Sequence, residues 1–265
     1  MIFSSDLDRT LIYSEKFTTN HDGIVKTVES GKYLSFMTQK AAEMLMQISG
    51  MLTFIPCTTR TIEQYQRIDF FNSELIPSYA VVTNGGNIII DGRVDEDYNK
   101  GIKKDLATNC LSQEDVLREF QRISKGDWAE PMRCADELFL YCIIERDRLP
   151  TDEIIDFTAW LKLQNWEISI QGRKLYLVPK MINKRDALIR ICELSGKKLI
   201  FAAGDSLLDL PMLAAAKYAI CPKHGELHEH YANAEYPWKL TQASGISAAE
   251  EILADVIASL NSHGL

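Results

Sequence analysis

Short apolar runs alternate with helical segments near both ends of the chain, and this order constrains the fold more than any other feature. Near the front, the runs "MIF", "MLTFIPC" and "YAVV" are separated by segments with helical periodicity, and "KKLIFAA" and "YAIC" follow the same style near the end. Strand, helix and strand in this order are typical of a parallel sheet covered by helices. We therefore predict an α/β fold.

The middle of the chain has a different pattern. The segment "NIIIDGRV" predicts a hairpin with Asp91 and Gly92 at its turn, and "WEISI" and "KLYLV" predict a second hairpin around Gly172. Hairpins that flank helices indicate an α+β module with an antiparallel sheet. We expect this module at residues 87–179, inserted into a core made of residues 1–86 and 180–265.

The composition narrows the classes of partner and the compartment. The net charge of −8 argues against nucleic acid or anionic membrane as a general partner. The six cysteines are scattered, mostly in apolar surroundings, which favours reduced thiols and a cytoplasmic protein. No apolar run approaches the ~18 residues of a membrane span, and Asp6 and Asp8 interrupt the front before a signal peptide could form. No pattern indicates an oligomeric state.

Polar residues stand where the predicted core strands end or a core helix begins. They are Asp6, Asp8, Thr10, Thr58, Thr59, Arg60, Lys184, Asp205 and Asp209. Because ligands bind where the carboxyl ends of parallel strands converge, we expect these residues to meet in one crevice. Several carboxylates together need a cation, and oxygen ligands without nearby His or Cys favour Mg²⁺ over Zn²⁺. Lysine and threonine beside the metal suit a phosphate group.

Other structural roles compete with this interpretation. The Asp6 and Asp8 pair taken alone is compatible with a capped turn, whereas a calcium loop fails because its sixth and twelfth positions would be Leu11 and Phe17. Thr58 and Thr59, our candidates for binding substrate, also suit a strand followed by a helix cap.

Simpler roles exist for the charged residues as well. Arg60, a further candidate for substrate binding, could pair with Glu63 instead. Asp205 could be the N-cap of a helix that begins at Ser206. The histidines of the hydrophilic segment near residues 224–230 are expected to lie on the surface.

These polar residues fall into four sequence segments, which together resemble the motifs of the haloacid dehalogenase (HAD) superfamily of phosphotransferases. "DLDRT" is similar to the D-x-D-x-T motif, and "CTTRT" to the second motif, a threonine or serine at a strand end. "NKRDAL" is similar to the lysine motif and "GDSLLDLPML" to the fourth motif, all in the right order. The long stretch between Thr58 and Lys184 resembles the C2-type cap of the IIB group, which includes Cof-like phosphatases, sucrose- and trehalose-phosphate phosphatases and phosphomannomutases.

The resemblance implies a Rossmann-like parallel-sheet core with an inserted α+β C2-type cap, and it implies a role for each motif residue. Asp6 would be the nucleophile and a Mg²⁺ ligand. Asp8 would be the general acid and base and would ligate the metal through its backbone carbonyl. Thr58 and Lys184 would hold the transferring phosphoryl group. The second pair of acids, Asp205 and Asp209, would complete the metal site, and Thr10 would brace the loop.

Two residues depart from the pattern of the family. Arg9 replaces the usual glycine between Asp8 and Thr10, and Thr59 replaces the glycine before Arg60. Both add bulk near the phosphate loop. The segments "DLDRTLIYS", "FMT", "TTRTIEQYQRI" and "YAVVTNGG" are also similar to HAD proteins found in tellurium-resistance gene clusters, a resemblance that implies no substrate.

We expect a Mg²⁺-dependent phosphatase that hydrolyses a small phosphorylated metabolite, with a sugar phosphate as the leading candidate, through an aspartyl-phosphate on Asp6. The cap would close over the crevice and choose the substrate. Two alternatives stay open. One is a phosphomutase of the phosphomannomutase type, and the other is a non-catalytic ligand-binding HAD protein of a stress-response cluster.

Overall fold

The computed structural model describes residues 1–18, 21–29, 31, 34–231 and 237–263. The chain divides into two compact units. Unit 1 consists of Met1–Val94 and Lys184–Leu265, and unit 2 consists of Asp95–Asn183. The first division, at 94/95, falls eight residues after the predicted boundary 86/87, and the second, at 183/184, falls four residues after 179/180.

The strands of the described residues are short. They are β1 (Ile2–Ser5), β2 (Val25–Thr27), β3 (Phe36–Thr38), β4 (Thr53–Pro56), β5 (Tyr79–Val82), β6 (Asn87–Ile90), β7 (Arg93–Val94), β8 (Arg133–Ala135), β9 (Phe139–Ile143), β10 (Trp166–Gln171), β11 (Lys174–Pro179), β12 (Leu199–Ala203), β13 (Tyr218–Cys221) and β14 (Lys239–Leu240).

The helices lie between and after these strands. They are α1 (Gln39–Met51), α2 (Ile62–Gln66), α3 (Asp69–Ser73), α4 (Glu96–Asn109), α5 (Gln113–Ile123), α6 (Thr151–Leu163), α7 (Lys184–Ser195), α8 (Leu210–Ala215), α9 (Glu226–His230) and α10 (Ser247–His263).

A parallel sheet forms the centre of unit 1. Its strand order is β14-β13-β12-β1-β4, and every pairing in it is parallel. All four residues of β1 are buried, as expected for a parallel strand that is covered on both faces. On one side of the sheet, α1 packs against α10. The predicted α/β fold is confirmed.

Two antiparallel elements flank this sheet within unit 1. β2 pairs with β3 in an antiparallel hairpin; positions 30, 32 and 33 between the two strands lie outside the described residues. β5, β6 and β7 form the second element, in which Asp91 and Gly92 both have positive φ at the predicted turn. Since β6 pairs with β5 along its whole length, this hairpin belongs to unit 1 rather than to the inserted module.

Unit 2 is an α+β module with a core of its own. Its antiparallel sheet has the order β10-β11-β9-β8, and α6 packs against β10. Phe120 and Phe157 from the helices pack with Trp166 and Leu175 from the sheet. The predicted α+β architecture of the middle segment is therefore present.

The cysteines and the helix lengths bear on two expectations that were drawn from the composition. Cys57, Cys142 and Cys221 are buried, but Cys134 is exposed, so the expectation of buried thiols holds for part of the set. Among the described residues, no helix combines the length and apolarity needed to cross a membrane.

Candidate active site

Three of the predicted site residues follow neighbouring strands of the central sheet. Asp6 comes directly after β1, Thr58 follows β4, and Asp205 follows β12. Backbone bonds continue the sheet into these loops, since Asp6 N–H donates to the Ala203 carbonyl at 2.8 Å and Cys57 N–H donates to the Ser5 carbonyl at 2.8 Å. The parallel register therefore places all three loops at one edge of unit 1.

Three buried carboxylates meet at this edge. One carboxylate oxygen from each of Asp6, Asp205 and Asp209 lies within 4.8 Å of the others. Asp205 Oδ2 is buried, has no hydrogen-bond partner among the described residues and lies 3.6 Å from Arg9 Nε. A buried carboxylate oxygen without a hydrogen bond is costly unless a cation compensates it. This donor set, made only of carboxylate oxygens, fits a hard divalent cation such as Mg²⁺.

A fully buried lysine joins two of these carboxylates. Lys184, the first residue of α7, donates from Nζ to Asp6 Oδ1 at 2.6 Å and to Asp209 Oδ1 at 2.5 Å. Burial disfavours its charge, but Asp209 and Asp6 hold the pKa of Lys184 above its ordinary value. Three carboxylates facing Lys184 and Arg9 leave one negative charge when all are ionised.

The excess of negative charge changes the pKa of the acids. Burial raises the pKa of Asp6 to about 7, against the opposing effect of Lys184, and Asp209 raises it further. Burial and the neighbouring Asp6 carboxylate also hold the pKa of Asp205 well above its ordinary value. Without a cation, the cluster therefore favours protonated carboxyls, which is the behaviour expected of a site suited to bind a metal ion.

Asp209 also organises the loop that carries Asp205. Its Oδ2 accepts hydrogen bonds from Ser206 Oγ at 2.8 Å, Ser206 N–H at 2.9 Å and Asp205 N–H at 3.1 Å. The N-cap of the short 3₁₀ turn Leu207–Asp209 is Ser206, so the simpler alternative role of Asp205 as a helix N-cap does not apply. Leu207 N–H, one of the donors that a cap at Asp205 would accept from, donates instead to Glu226 Oε2 at 3.0 Å. Among the described residues, Asp205 Oδ2 has no hydrogen-bond partner.

Two glycines allow this close approach. A Cβ on Gly204 would lie 2.5 Å from Asp209 Cβ, and a Cβ on Gly225 would lie 2.5 Å from the Asp205 carbonyl oxygen. Both positions require a residue without a side chain, because rigid atoms of the acidic loop stand in the way.

Asp8 lies in a different environment from Asp6. Its side chain is 41% exposed, and its carboxylate accepts two bonds of 2.8 Å from Arg60 Nε and Nη2. Burial acts to lower the pKa of Arg60, but Asp8 and Glu29 hold it above its ordinary value. Arg60 therefore pairs with Asp8 and Glu29, whereas the alternative partner Glu63 lies 4.0 Å from Arg67.

The threonines of the site have distinct positions. Thr58 is fully buried, and its Oγ1 accepts a hydrogen bond of 3.1 Å from Arg60 N–H. Thr10 Oγ1 donates to Asp6 Oδ2 at 3.4 Å. Thr59 is half-buried and its φ is not positive, so the backbone at this position accepts a side chain without strain. The missing glycine before Arg60 therefore has no steric consequence for the backbone.

Arg9 is a different case, because its φ is +65°. This left-handed conformation favours glycine and costs other residues about 1 kcal/mol or more. Arg9 is held there by two bonds with one residue: Arg9 Nη2 donates to the His224 carbonyl at 2.6 Å, and the Arg9 carbonyl accepts from His224 Nε2 at 2.9 Å. Arg9 can therefore replace the usual glycine because its two hydrogen bonds with His224 hold the left-handed backbone in place.

His224 was expected on the surface, and this expectation is wrong. Its Nδ1 accepts from Gly245 N–H at 3.1 Å while Nε2 donates to Arg9, so the imidazole is neutral and joins two loops. Burial and the positive charge of Arg9 lower the pKa of His224 to about 4. Its hydrophilic neighbours in the sequence give no signal of this role.

We expect His224→Gln to reduce the loss of stability at acidic pH. The unfolded chain binds a proton at this imidazole near pH 6.5 and the folded protein only near pH 4, so stability is present above pH 6.5 and falls as the pH decreases through this window. Partial solvent screening limits the effect to about 2 kcal/mol. Urea unfolding between pH 7 and pH 4 measures it, with the exposed His230→Gln as the control. Parallel curves for the wild type and His224→Gln would contradict the assignment.

Comparison with solved structures finds the same fold over the whole chain. The chain is similar to the sucrose-phosphatase from Synechocystis sp. PCC6803, solved with sucrose and phosphate, with a TM-score of 0.69, 17% identity and 98% of each chain covered. A HAD subclass IIB sugar phosphatase gives a TM-score of 0.59 at 15% identity, with 98% of each chain covered. A haloacid dehalogenase-like hydrolase from B. subtilis gives a TM-score of 0.58 at 15% identity, covering 100% of this chain and 99% of that one.

No family model matches the sequence, and no curated protein matches it. The narrower resemblance to HAD proteins of tellurium-resistance clusters stays a prediction. At identities of 14–17%, the agreement with solved structures concerns the fold. The parallel sheet, the inserted α+β unit and the full-length similarity agree with the order of the four motifs. This chain has the fold of the haloacid dehalogenase superfamily.

Proposed function

We propose that the protein is a Mg²⁺-dependent phosphatase that hydrolyses a small phosphorylated metabolite through an aspartyl-phosphate on Asp6. The observation that carries the proposal is the buried cluster in which Lys184 bonds to both Asp6 and Asp209, while Asp205 Oδ2 has no hydrogen bond to any residue that the structure describes. Such a cluster suits one divalent cation and one phosphoryl group side by side.

The metal would be held by the carboxylates of Asp6, Asp205 and Asp209 and by the backbone carbonyl of Asp8. When bound, Mg²⁺ supplies positive charge beside the phosphoryl oxygens. The protein supplies further charge through Lys184. Its ammonium group has three N–H donors, of which two bond to carboxylates among the described residues, so one remains for a phosphoryl oxygen.

The nucleophilic step would belong to Asp6. Its carboxylate oxygen forms a bond to phosphorus while the ester P–O bond breaks, and the leaving oxygen takes a proton from Asp8. Water then attacks phosphorus, gives a proton back to Asp8 and releases phosphate from Asp6. Thr58 supports the phosphoryl group, since its Oγ1 accepts from Arg60 N–H and keeps its hydroxyl proton to donate.

Sugar phosphates are the substrate class that we propose to test first. The similar structures include a sucrose-phosphatase solved with sucrose and phosphate, and a sugar phosphatase of the HAD IIB subclass. The acidic chain, with a net charge of −8, needs the local positive charges of Lys184 and a metal to attract an anionic ester.

The experiment is a hydrolysis screen of several dozen phosphorylated metabolites with Mg²⁺, read as release of inorganic phosphate. We expect turnover of one or more sugar phosphates. Chromatography of the same reactions separates hydrolysis from isomerisation, and an isomerised sugar phosphate without free phosphate would instead show a phosphomutase. Absence of turnover across the panel, with ligand binding retained, would favour a non-catalytic protein.

We expect Mg²⁺ to stabilise the protein through the acidic cluster. At a Mg²⁺ concentration about 100 times the dissociation constant, binding contributes about 2.7 kcal/mol, which corresponds to a rise in melting temperature of roughly 5–10 °C. Thermal unfolding with Mg²⁺ or with EDTA measures the shift. Asp205→Asn should remove it, whereas Asp186→Asn, which changes an exposed carboxylate on α7, should retain it. An equal shift in both variants would exclude the cluster as the metal site.

A further inference from the structure

A buried polar network links Asp8 to a hairpin that carries none of the four motifs. Its members are Glu29 and Ser35, which lie between β2 and β3, together with Arg60. Arg67 Nε also lies 3.7 Å from Glu29 Oε1. Glu29 is only 2% exposed although it is a carboxylate in a turn-like segment. Carboxylates are seldom buried to this extent unless they are paired, so its partners define its role.

The distances form a connected set. Glu29 Oε2 accepts from Arg60 Nη1 at 2.8 Å and from Ser35 Oγ at 2.6 Å. Ser35 Oγ in turn accepts from Arg60 Nη2 at 3.0 Å. The adjacent edge of the same guanidinium, formed by Nε and Nη2, donates to both oxygens of Asp8 at 2.8 Å. Glu29 and Ser35 therefore hold one edge of the planar group, and Asp8 is held by the other.

The bonding capacity of Arg60 argues against the role predicted from its motif. A guanidinium has five N–H donors in a fixed plane. Four hydrogen bonds to Asp8, Glu29 and Ser35 use four of these donors. At most one donor remains for a substrate, so the structure favours Arg60 as a support for Asp8 over Arg60 as a substrate-binding residue.

The hairpin that carries Glu29 is attached to unit 1 without help from this carboxylate. Tyr13 and Phe36 exchange two backbone hydrogen bonds of 2.8 and 2.7 Å, and Phe70 N–H donates to the Val28 carbonyl at 3.2 Å. Lys26 forms an ion pair with Glu74. Because these contacts fix the hairpin, Glu29 presents its carboxylate to Arg60 from a rigid element.

We propose that Glu29 is a positioning residue for Asp8. It fixes the guanidinium of Arg60, and Arg60 fixes the half-exposed Asp8 carboxylate in the orientation needed to deliver a proton to the leaving oxygen. This inference rests on the proposed function, in which Asp8 is the general acid. Ser35 contributes through its two bonds, one to Glu29 and one to Arg60.

The kinetic test separates proton delivery from general structural support. A p-nitrophenyl leaving group departs without a proton, whereas the alkoxide of a sugar or alkyl phosphate needs one. We expect Glu29→Ala to lower kcat/KM about 10- to 100-fold for the best alkyl phosphate of the screen and less than about 3-fold for p-nitrophenyl phosphate. The ratio kcat/KM reports formation of the aspartyl-phosphate and not its hydrolysis, in which Asp8 would act on both substrates alike. Glu29→Gln should recover part of the loss, because its amide oxygen can still accept from Arg60.

A double-variant cycle adds a second criterion. Asp8→Asn should show the same dependence on the leaving group, and Glu29→Ala combined with Asp8→Asn should lose no more than Asp8→Asn alone. Lys26→Ala is the matched control, since it removes an ion pair from the same hairpin without touching Arg60. Equal losses for both leaving groups, or additive losses in the double variant, would overturn the positioning role while leaving the phosphatase assignment intact.

A spectroscopic measurement tests the same inference without turnover. Arg60 Nε–H donates to Asp8 Oδ2, so its resonance should be shifted downfield and protected from exchange with water, and Arg60→Lys identifies it by its loss. We expect faster exchange of this proton in Glu29→Ala and in Asp8→Asn, and wild-type behaviour in Lys26→Ala. An unchanged Arg60 Nε–H resonance in Glu29→Ala would overturn the proposal, even if the protein proves to have no phosphatase activity.

Discussion

Asp6→Asn is expected to lower the turnover of every phosphate ester at least about 1,000-fold, because an amide cannot replace the attacking carboxylate. The change is nearly isosteric, and Lys184 keeps its bond to Asp209. Since burial and Asp209 raise the pKa of Asp6, removing this charge should not destabilise the fold. Steady-state hydrolysis of p-nitrophenyl phosphate with Mg²⁺ measures the effect.

Asp186→Asn serves as the control for this experiment, because it changes an exposed carboxylate near the same helix start. Mass spectrometry of acid-quenched wild-type reactions should show a phosphorylated peptide that contains Asp6 and is absent from the variant. Equal hydrolysis by the wild type and Asp6→Asn would end the nucleophile assignment.

Lys184→Met is expected to reduce the free energy of unfolding by about 3–5 kcal/mol, the usual cost of removing one partner from a buried ion pair. The methionine fills a similar volume but leaves the carboxylates of Asp6 and Asp209 without their shared cation. The expected fall in melting temperature is roughly 10 °C. Thermal unfolding in EDTA measures it, so that added metal does not mask the loss of charge.

Arg185→Met is the matched control for Lys184→Met, because Arg185 is adjacent on α7 but exposed and paired with Asp186. It should change the melting temperature little. Combining Lys184→Met with Asp6→Asn should recover part of the stability, since one unpaired carboxylate is then neutral. No loss in Lys184→Met, or no recovery in the combined variant, would show that the buried charges do not determine stability here.

Sequence patterns predicted those parts of the site that depend on the order of the elements. Asp6, Thr58 and Asp205 each follow a strand of one parallel sheet, and topology alone brings such positions to one edge. Lys184 could be anticipated from its place at the start of a core helix. The apolar runs of the core and the hairpin residues of the inserted module could also be predicted, because burial imposes a periodicity on their sequence.

Other contacts depend on side-chain geometry that no local pattern encodes. Glu29 lies in "VESGK", where a polar residue in a turn is the ordinary expectation, yet the partner that buries it is Arg60, 31 residues away. His224 bonds to Arg9 across 215 residues. Asp205 had the spacing of an N-cap, but Leu207 N–H, from which such a cap would accept, donates to Glu226 instead.

The placement of β1 between β4 and β12 has a consequence for synthesis on the ribosome. When residues 2–5 emerge, only β4 follows soon after, and the other neighbour of β1 at residues 199–203 is translated much later. Unit 2 is one continuous stretch with its own core, so it can fold during this interval. The nascent chain must therefore carry a half-paired central strand until α7 and β12 leave the exit tunnel, and the acidic cluster is complete only after Asp205 and Asp209 have been synthesised.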